Sequence, residues 1–133
     1  MLRLIDTVAW VHLRDGRILG TRTRGTDLFY IPGGKRHGGE SDLETLLREV
    51  EEELTVAVLP DTVAHLGTYQ GPADGQPEGT VVKLACYTGD YRGTLAASSE
   101  IEEIGWLSYA DRGRVPAVDR LVFDELRAAG RLR

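Results

Sequence analysis

Seven acids crowd residues 40–53: Glu40, Asp42, Glu44, Glu49, Glu51, Glu52 and Glu53, with Arg48 the one base among them. That segment carries −6 while the whole chain carries −5, so everything else sums to +1. Like charges this dense repel unless solvent or a cation relieves them. On a helix turning about 100° per residue, Leu43, Leu46, Leu47, Val50 and Leu54 point one way. Glu49, Glu52 and Glu53 then share a flank of that helix at i, i+3 and i+4. Three neighbouring carboxylates supply hard oxygen donors of the kind Mg2+ takes. Arg48 can orient or neutralise an acid nearby. The glycines that precede the helix let the backbone turn sharply and bring carbonyls or amides close to a metal or a phosphate. The bland alternative is a solvated acidic face, which would not need three carboxylates beside a buried stripe.

The elements that must position these residues follow from periodicity and turn chemistry. Residues 2–13 alternate about Leu2, Leu4, Thr7/Val8, Trp10 and His12 and end at Asp15-Gly16, a hairpin signal. Arg17–Arg22 reads as the returning strand. Phe29-Tyr30-Ile31 is a short strand stopped by Pro32-Gly33-Gly34, and the glycine-rich stretch 33–39 reads as loop. Residues 41–54 read as a helix opened by a capping box of Ser41 and Glu44. Strands are expected over 63–69, 80–87 and 104–107, with 71–79 a polar loop between the first two. Pro116 opens a C-terminal helix with Val118, Leu121, Val122 and Leu126 on one face and Gly130 past its end. This order implies a mixed sheet with helices packed on its faces.

Composition narrows the function classes. With 133 residues and 41% hydrophobic content, one domain over 1–133 is expected. No apolar run exceeds four residues, whereas a membrane-spanning helix needs about 20. Asp6 and His12 interrupt any secretory apolar core. The single cysteine, Cys86, leaves no internal disulfide, so a reducing, cytoplasmic setting is expected. Fourteen of the 16 bases are arginine, scattered without a stripe on an acidic chain, which argues against nucleic acid as a partner. His12, His37 and His65 lack metal spacing and read as structural or surface residues. Trp10, Trp106 and Cys86 read as core, as does one of Phe29 and Tyr30, with stacking on a base the alternative role for that pair.

The segment from Gly34 to Val56 resembles the Nudix box, GX5EX7REUXEEXGU with U aliphatic. Gly34, Glu40, Arg48, Glu49, Val50, Glu52, Glu53 and Val56 fall in register, and Ile31-Pro32-Gly33 resembles the usual lead-in. Thr55 stands where the pattern has glycine, and His37 where many members carry Glu. A β-branched residue adopts positive φ poorly, so Thr55 puts the helix end in question.

The resemblance implies an α/β fold, the Nudix-type α/β/α sandwich with a mixed β-sheet and helices on both faces. It implies hydrolysis of a diphosphate linkage in a nucleoside diphosphate joined to some group X. Mg2+, or alternatively Mn2+, would be held by Glu49, Glu52 and Glu53, with the Gly33 carbonyl as a further ligand and Glu40 a supporting or secondary one. Arg48 would hold Glu49 in place; Glu52 and Glu53 would also be catalytic, and Gly34 and Lys35 would meet substrate. The segment 99–106 resembles the loop-to-strand passage that brings in one more carboxylate, as base or ligand. Glu103 is preferred there over Glu100, the alternative being a solvated acidic loop. Arg22 and Arg24 end the second strand near the expected phosphate path, where guanidinium suits phosphate; otherwise they are surface arginines.

The implied partner is a small-molecule nucleotide, with no membrane, in a monomer or homodimer. Small members often convert nucleoside triphosphates to monophosphate and pyrophosphate. An ADP-ribose or nucleotide-sugar pyrophosphatase is the alternative, suggested by Pro72, 16 residues after Val56. A non-catalytic nucleotide-sensing module is the third reading, though such modules usually lose box carboxylates that are present here.

Overall fold

In the computed structural model, which describes residues 3–133, strand β1 (Arg3–Trp10) runs through the middle of the molecule. The elements that follow are β2 (Leu13–Arg14), β3 (Arg17–Thr23), β4 (Phe29–Tyr30), β5 (Gly33–Lys35), α1 (Asp42–Leu54) and β6 (Ala57–Val58). Then come β7 (Ala64–Pro72), β8 (Thr80–Thr88), β9 (Tyr91–Arg92), β10 (Ile101–Leu107) and α2 (Ala117–Ala128). One sheet has the order β5-β1-β8-β7, with β1 and β8 parallel and the outer pairs antiparallel. A second has the order β10-β3-β2, with β4 also paired to β3.

The period of two in the strands builds a core on each face. Val8 and Trp10 pack with Leu19, Ala85 and the α1 residues Leu46, Val50 and Leu54. Their neighbours Ala9 and Val11 pack the opposite way, with Ile18, Leu84, Cys86 and the α2 residues Val118, Val122, Phe123 and Leu126. Each fully buried leucine or valine contributes about 1.5–3 kcal/mol. The result is the α/β/α sandwich expected, with a helix on either side. The reading of Leu2 lies outside the described residues, and Leu4 is exposed, so the alternation holds only from the middle of β1.

Local signals explain most boundaries. Asp15 and Gly16 both have positive φ, 53° and 76°, the hairpin turn that brings β3 back on β2. Ser41 accepts from the Glu44 N–H while Glu44 accepts from the Ser41 N–H, closing the capping box. Such caps contribute about 0.5–2 kcal/mol. The helix stripe is narrower than read: Leu43 is exposed, while Thr45 and Glu53 are buried.

Three expectations are corrected. Gly33-Gly34-Lys35 is strand, not loop, paired antiparallel to β1. Glycine serves close approach there: a Cβ on Gly33 would stand 2.0 Å from the Val8 carbonyl oxygen, and one on Gly34 would stand 2.6 Å from the Glu49 carboxyl carbon. Strand β10 begins at Ile101, so Glu102 and Glu103 lie in a strand and not in a loop. Among the described residues only β3 pairs with β10, and an edge strand tolerates outward charge. In α2, Leu121 is exposed and Asp119 is buried in its place among apolar neighbours.

Candidate active site

Arg48 is the hub of the acidic segment. Its guanidinium donates to both oxygens of Glu40, at 2.7 and 2.9 Å, to Glu49 Oε1 at 2.8 Å and to the Lys35 carbonyl at 3.3 Å. Glu52 lies further out, 3.6 Å from the same guanidinium. Glu40 also accepts from the His37 N–H and the Thr45 hydroxyl, and its carboxyl is held down at about 2 by Arg48 first and His37 next. Glu40 therefore braces Arg48, and through it the glycine loop, rather than facing the other carboxylates.

Glu53 behaves oppositely. It is 6% exposed, and its Oε1 accepts the Gly33 N–H at 3.1 Å. Burial first, then the charges of Glu49, Glu100 and Glu52, push its carboxyl up to about 8, against the pull of the Gly33 N–H. Glu49 is also raised, by burial first, with Arg48 opposing. Glu49 fits over Gly34, where any side chain would collide with it. Among the described residues, no three acidic, histidine or cysteine side chains already stand at metal-holding distances. The donor chemistry nevertheless fits a hard divalent cation: Glu49, Glu52 and Glu53 repel one another on one helix flank, and Arg48 neutralises chiefly Glu40 and Glu49.

The 99–106 acids separate cleanly. Glu103 is the register partner of Arg22 and accepts its Nε at 2.8 Å, while Glu102 takes Nη1 at 3.4 Å. Arg22 is thus engaged by the strand next to it. Glu100 lies two residues past Ser98, whose N–H donates to the Glu53 carbonyl at 3.0 Å. Ser99, at φ 57°, turns the chain there and its hydroxyl bonds the Glu100 carboxylate. Arg24 donates to the Ser99 carbonyl from its side chain and to the Glu100 carbonyl from its backbone. Glu103 is thus held on Arg22 across the strand pair, and Glu100 stands at the end of the segment bonded to the last turn of α1.

A cleft of about 400 Å³ opens beside Glu53, Gly33, Gly34 and Lys35 and runs to Tyr30, Pro72, Asp74 and Asp119. Asp119 is 4% exposed, and its Oδ2 accepts the Ile31 N–H at 2.9 Å. Burial, then the Asp74 charge, push it up to about 7. The sequence reading missed this residue. Its signal was an acid one residue after Val118, on the same face as Val122, Phe123 and Leu126. Tyr30 is exposed at the cleft while Phe29 is buried in the core. His12 stacks on Trp10 at 4.7 Å, and Cys86 is a buried free thiol, both structural placements.

The NUDIX domain model matches residues 3–126. The CTP pyrophosphohydrolase of Escherichia coli K12 is 32% identical over 112 residues, covering 80% of this chain and 78% of that protein. The solution structure of the E. coli ORF135 protein superposes with a TM-score of 0.74 at 29% identity, covering 96% of this chain and 94% of that one. The crystal structure of a MutT NUDIX hydrolase from Burkholderia pseudomallei gives a TM-score of 0.77 at 21% identity, covering 93% and 98%. Among the described residues no helix is long and apolar enough to cross a membrane. The box in register, the sandwich that presents it and these matches agree: the chain belongs to the Nudix hydrolases, enzymes that act on acid anhydrides and generally use divalent cations.

Proposed function

We propose that this enzyme hydrolyses a nucleoside triphosphate to the monophosphate and pyrophosphate with Mg2+. The observation that carries the reading is one cleft lined by Glu53, of the α1 carboxylate flank, and by a second buried carboxyl, Asp119. The acidic end suits a polyphosphate with its cation; the Asp119 end, walled by Tyr30 and Val118, suits a flat base with a polar edge. Glu49, Glu52 and Glu53 would hold the cation, with the Gly33 carbonyl beside them. When bound, it supplies charge neutralisation for the phosphates and Lewis acidity.

The chain's own groups do the rest. Arg48 holds Glu49 and the Glu40 brace in place. Glu100, two residues past the Ser98 N–H that donates to the Glu53 carbonyl, orients or deprotonates the attacking water. Lys35 borders the polyphosphate end of the cleft. Asp119 accepts from an exocyclic amino group, so amino-bearing bases such as cytosine are preferred to uracil or thymine. The relative named for CTP pyrophosphohydrolysis supports that direction. Pro72, which lines the cleft, favours a second reading, an ADP-ribose or nucleotide-sugar pyrophosphatase. A panel of nucleoside triphosphates, ADP-ribose and nucleotide sugars, with MgCl2 or EDTA and products resolved by chromatography, decides between them. Monophosphate with pyrophosphate from an amino-bearing triphosphate is the expected result. Faster release of AMP and ribose 5-phosphate from ADP-ribose would replace the first reading with the second.

A further inference from the structure

The residue that departs from the box, Thr55, closes α1 in the left-handed conformation, φ 61° and ψ 22°. Glycine takes that conformation freely, whereas a β-branched residue is strained in it. The strained residue does something glycine could not: its hydroxyl donates to the Thr94 carbonyl at 3.0 Å. Two further bonds continue the contact. The Ala96 N–H donates to the Leu54 carbonyl at 3.1 Å, and the Ser98 N–H to the Glu53 carbonyl at 3.0 Å. Residues 94, 96 and 98 are thereby fastened in succession to residues 55, 54 and 53. Carbonyls that a helix end normally leaves to solvent are taken by this segment. Gly93 brings the segment over the helix end, where its Cβ position lies 3.6 Å from the Thr55 carbonyl oxygen and the Val56 Cα. One residue past the last of these bonds the chain turns at Ser99, and Glu100 follows, two residues from the amide that is bonded to the Glu53 carbonyl.

We propose that Thr55 is a positioning residue, whose hydroxyl fastens the 93–98 segment to the end of α1 and so fixes Glu100 against the box carboxylates. The proposal rests on the reading of Glu100 given above. It predicts that stability and activity respond differently at one position. Thr55→Gly relieves the strained conformation and loses the tether. Thr55→Val keeps the shape and the strain and loses only the hydroxyl. Thr55→Ser keeps the hydroxyl.

The test combines amide hydrogen exchange, which needs no ligand, with steady-state kinetics on the triphosphate hydrolysed fastest in the panel, at saturating MgCl2. In Thr55→Val and Thr55→Gly, exchange at the Ala96 and Ser98 amides should quicken and kcat should fall about three- to tenfold with KM within about twofold, as loss of one hydrogen bond allows. Thr55→Ser should restore both, and the melting temperature of Thr55→Gly should be no lower than that of the wild type. Glu100→Gln is measured alongside. Unchanged exchange at Ala96 and Ser98 in Thr55→Val overturns the tether. Faster exchange with unchanged kcat, while Glu100→Gln is slowed, overturns the positioning role and leaves the reading of Glu100 intact. Wild-type kcat in Glu100→Gln removes Glu100 from the reaction, and the positioning role with it, whatever exchange reports.

Discussion

Two helices each drive one buried carboxyl at the same short turn of chain. Glu53 of α1 takes the Gly33 N–H and Asp119 of α2 takes the Ile31 N–H, with Pro32 between them. Both acids are raised by burial, to about 8 and about 7. Their surroundings differ. Glu53 has Glu49, Glu52 and Glu100 near it, so its charge problem is shared and a cation is the natural relief. Asp119 has Asp74 nearby and otherwise lies against the apolar α2 core. In the function proposed, the same device, a buried acid on a backbone N–H, would serve cation binding at Glu53 and hydrogen-bond reading at Asp119. What surrounds the acid decides which.

The comparison is broken most easily at Glu53. Glu53→Gln should lower kcat by roughly 10²-fold or more, because a charged ligand or base is lost at the reacting phosphate. It should leave the fold intact, and in EDTA at alkaline pH it should melt higher than the wild type. Near-full turnover would take the box out of the chemistry. At the other end, Asp119→Asn should act on recognition, raising KM by about tenfold and shrinking the preference for amino-bearing bases while kcat changes little. An unchanged base preference would remove Asp119 from substrate contact.

A finer cut separates the two acids of the 99–106 passage. Glu100→Gln should lower kcat about tenfold, and Glu103→Gln should stay within about twofold, since its partner is Arg22 across the strand pair. The reverse ranking would return the role to Glu103.

The smallest effect is on stability. Glu53 and Asp119 have folded pKa values above their ordinary ones, so the folded chain holds protons that the unfolded chain releases. Stability from these groups is present at low pH and is lost as pH rises through about 7 to 8. His12, lowered by burial first and then by Arg14, opposes this in part near its ordinary value. Glu40, held at about 2, matters only well below that window. In EDTA, thermal melts should therefore rise by a few degrees from about pH 8 to about pH 5.5. A melting temperature that climbs with pH across that window would show these acids to be ionised without penalty.

The box end of the cleft was legible in the sequence because its residues sit on one helix, where spacing alone gives direction: Arg48, Glu49, Glu52 and Glu53 follow from a turn of about 100°. The capping box and the Asp15-Gly16 hairpin were legible for the same local reason. Asp119 was not, because its role depends on Ile31, 88 residues away. Glu100 and Glu103 differ by pairing register, which no single strand records. Gly33 and Gly34 looked like loop because glycine is read as freedom, while here it makes room for Val8 and Glu49.

Division of labour along the cleft is tested most directly by equilibrium binding of the non-hydrolysable α,β-methylene analogue of the preferred triphosphate, titrated calorimetrically with MgCl2 and with EDTA. For the wild type, MgCl2 should tighten binding. For Glu53→Gln that gain should largely vanish while the EDTA affinity is kept. For Asp119→Asn both affinities should fall together and the gain should remain. A Glu53→Gln protein that keeps the full gain, or an Asp119→Asn protein that loses the gain alone, would contradict the assignment of the two ends.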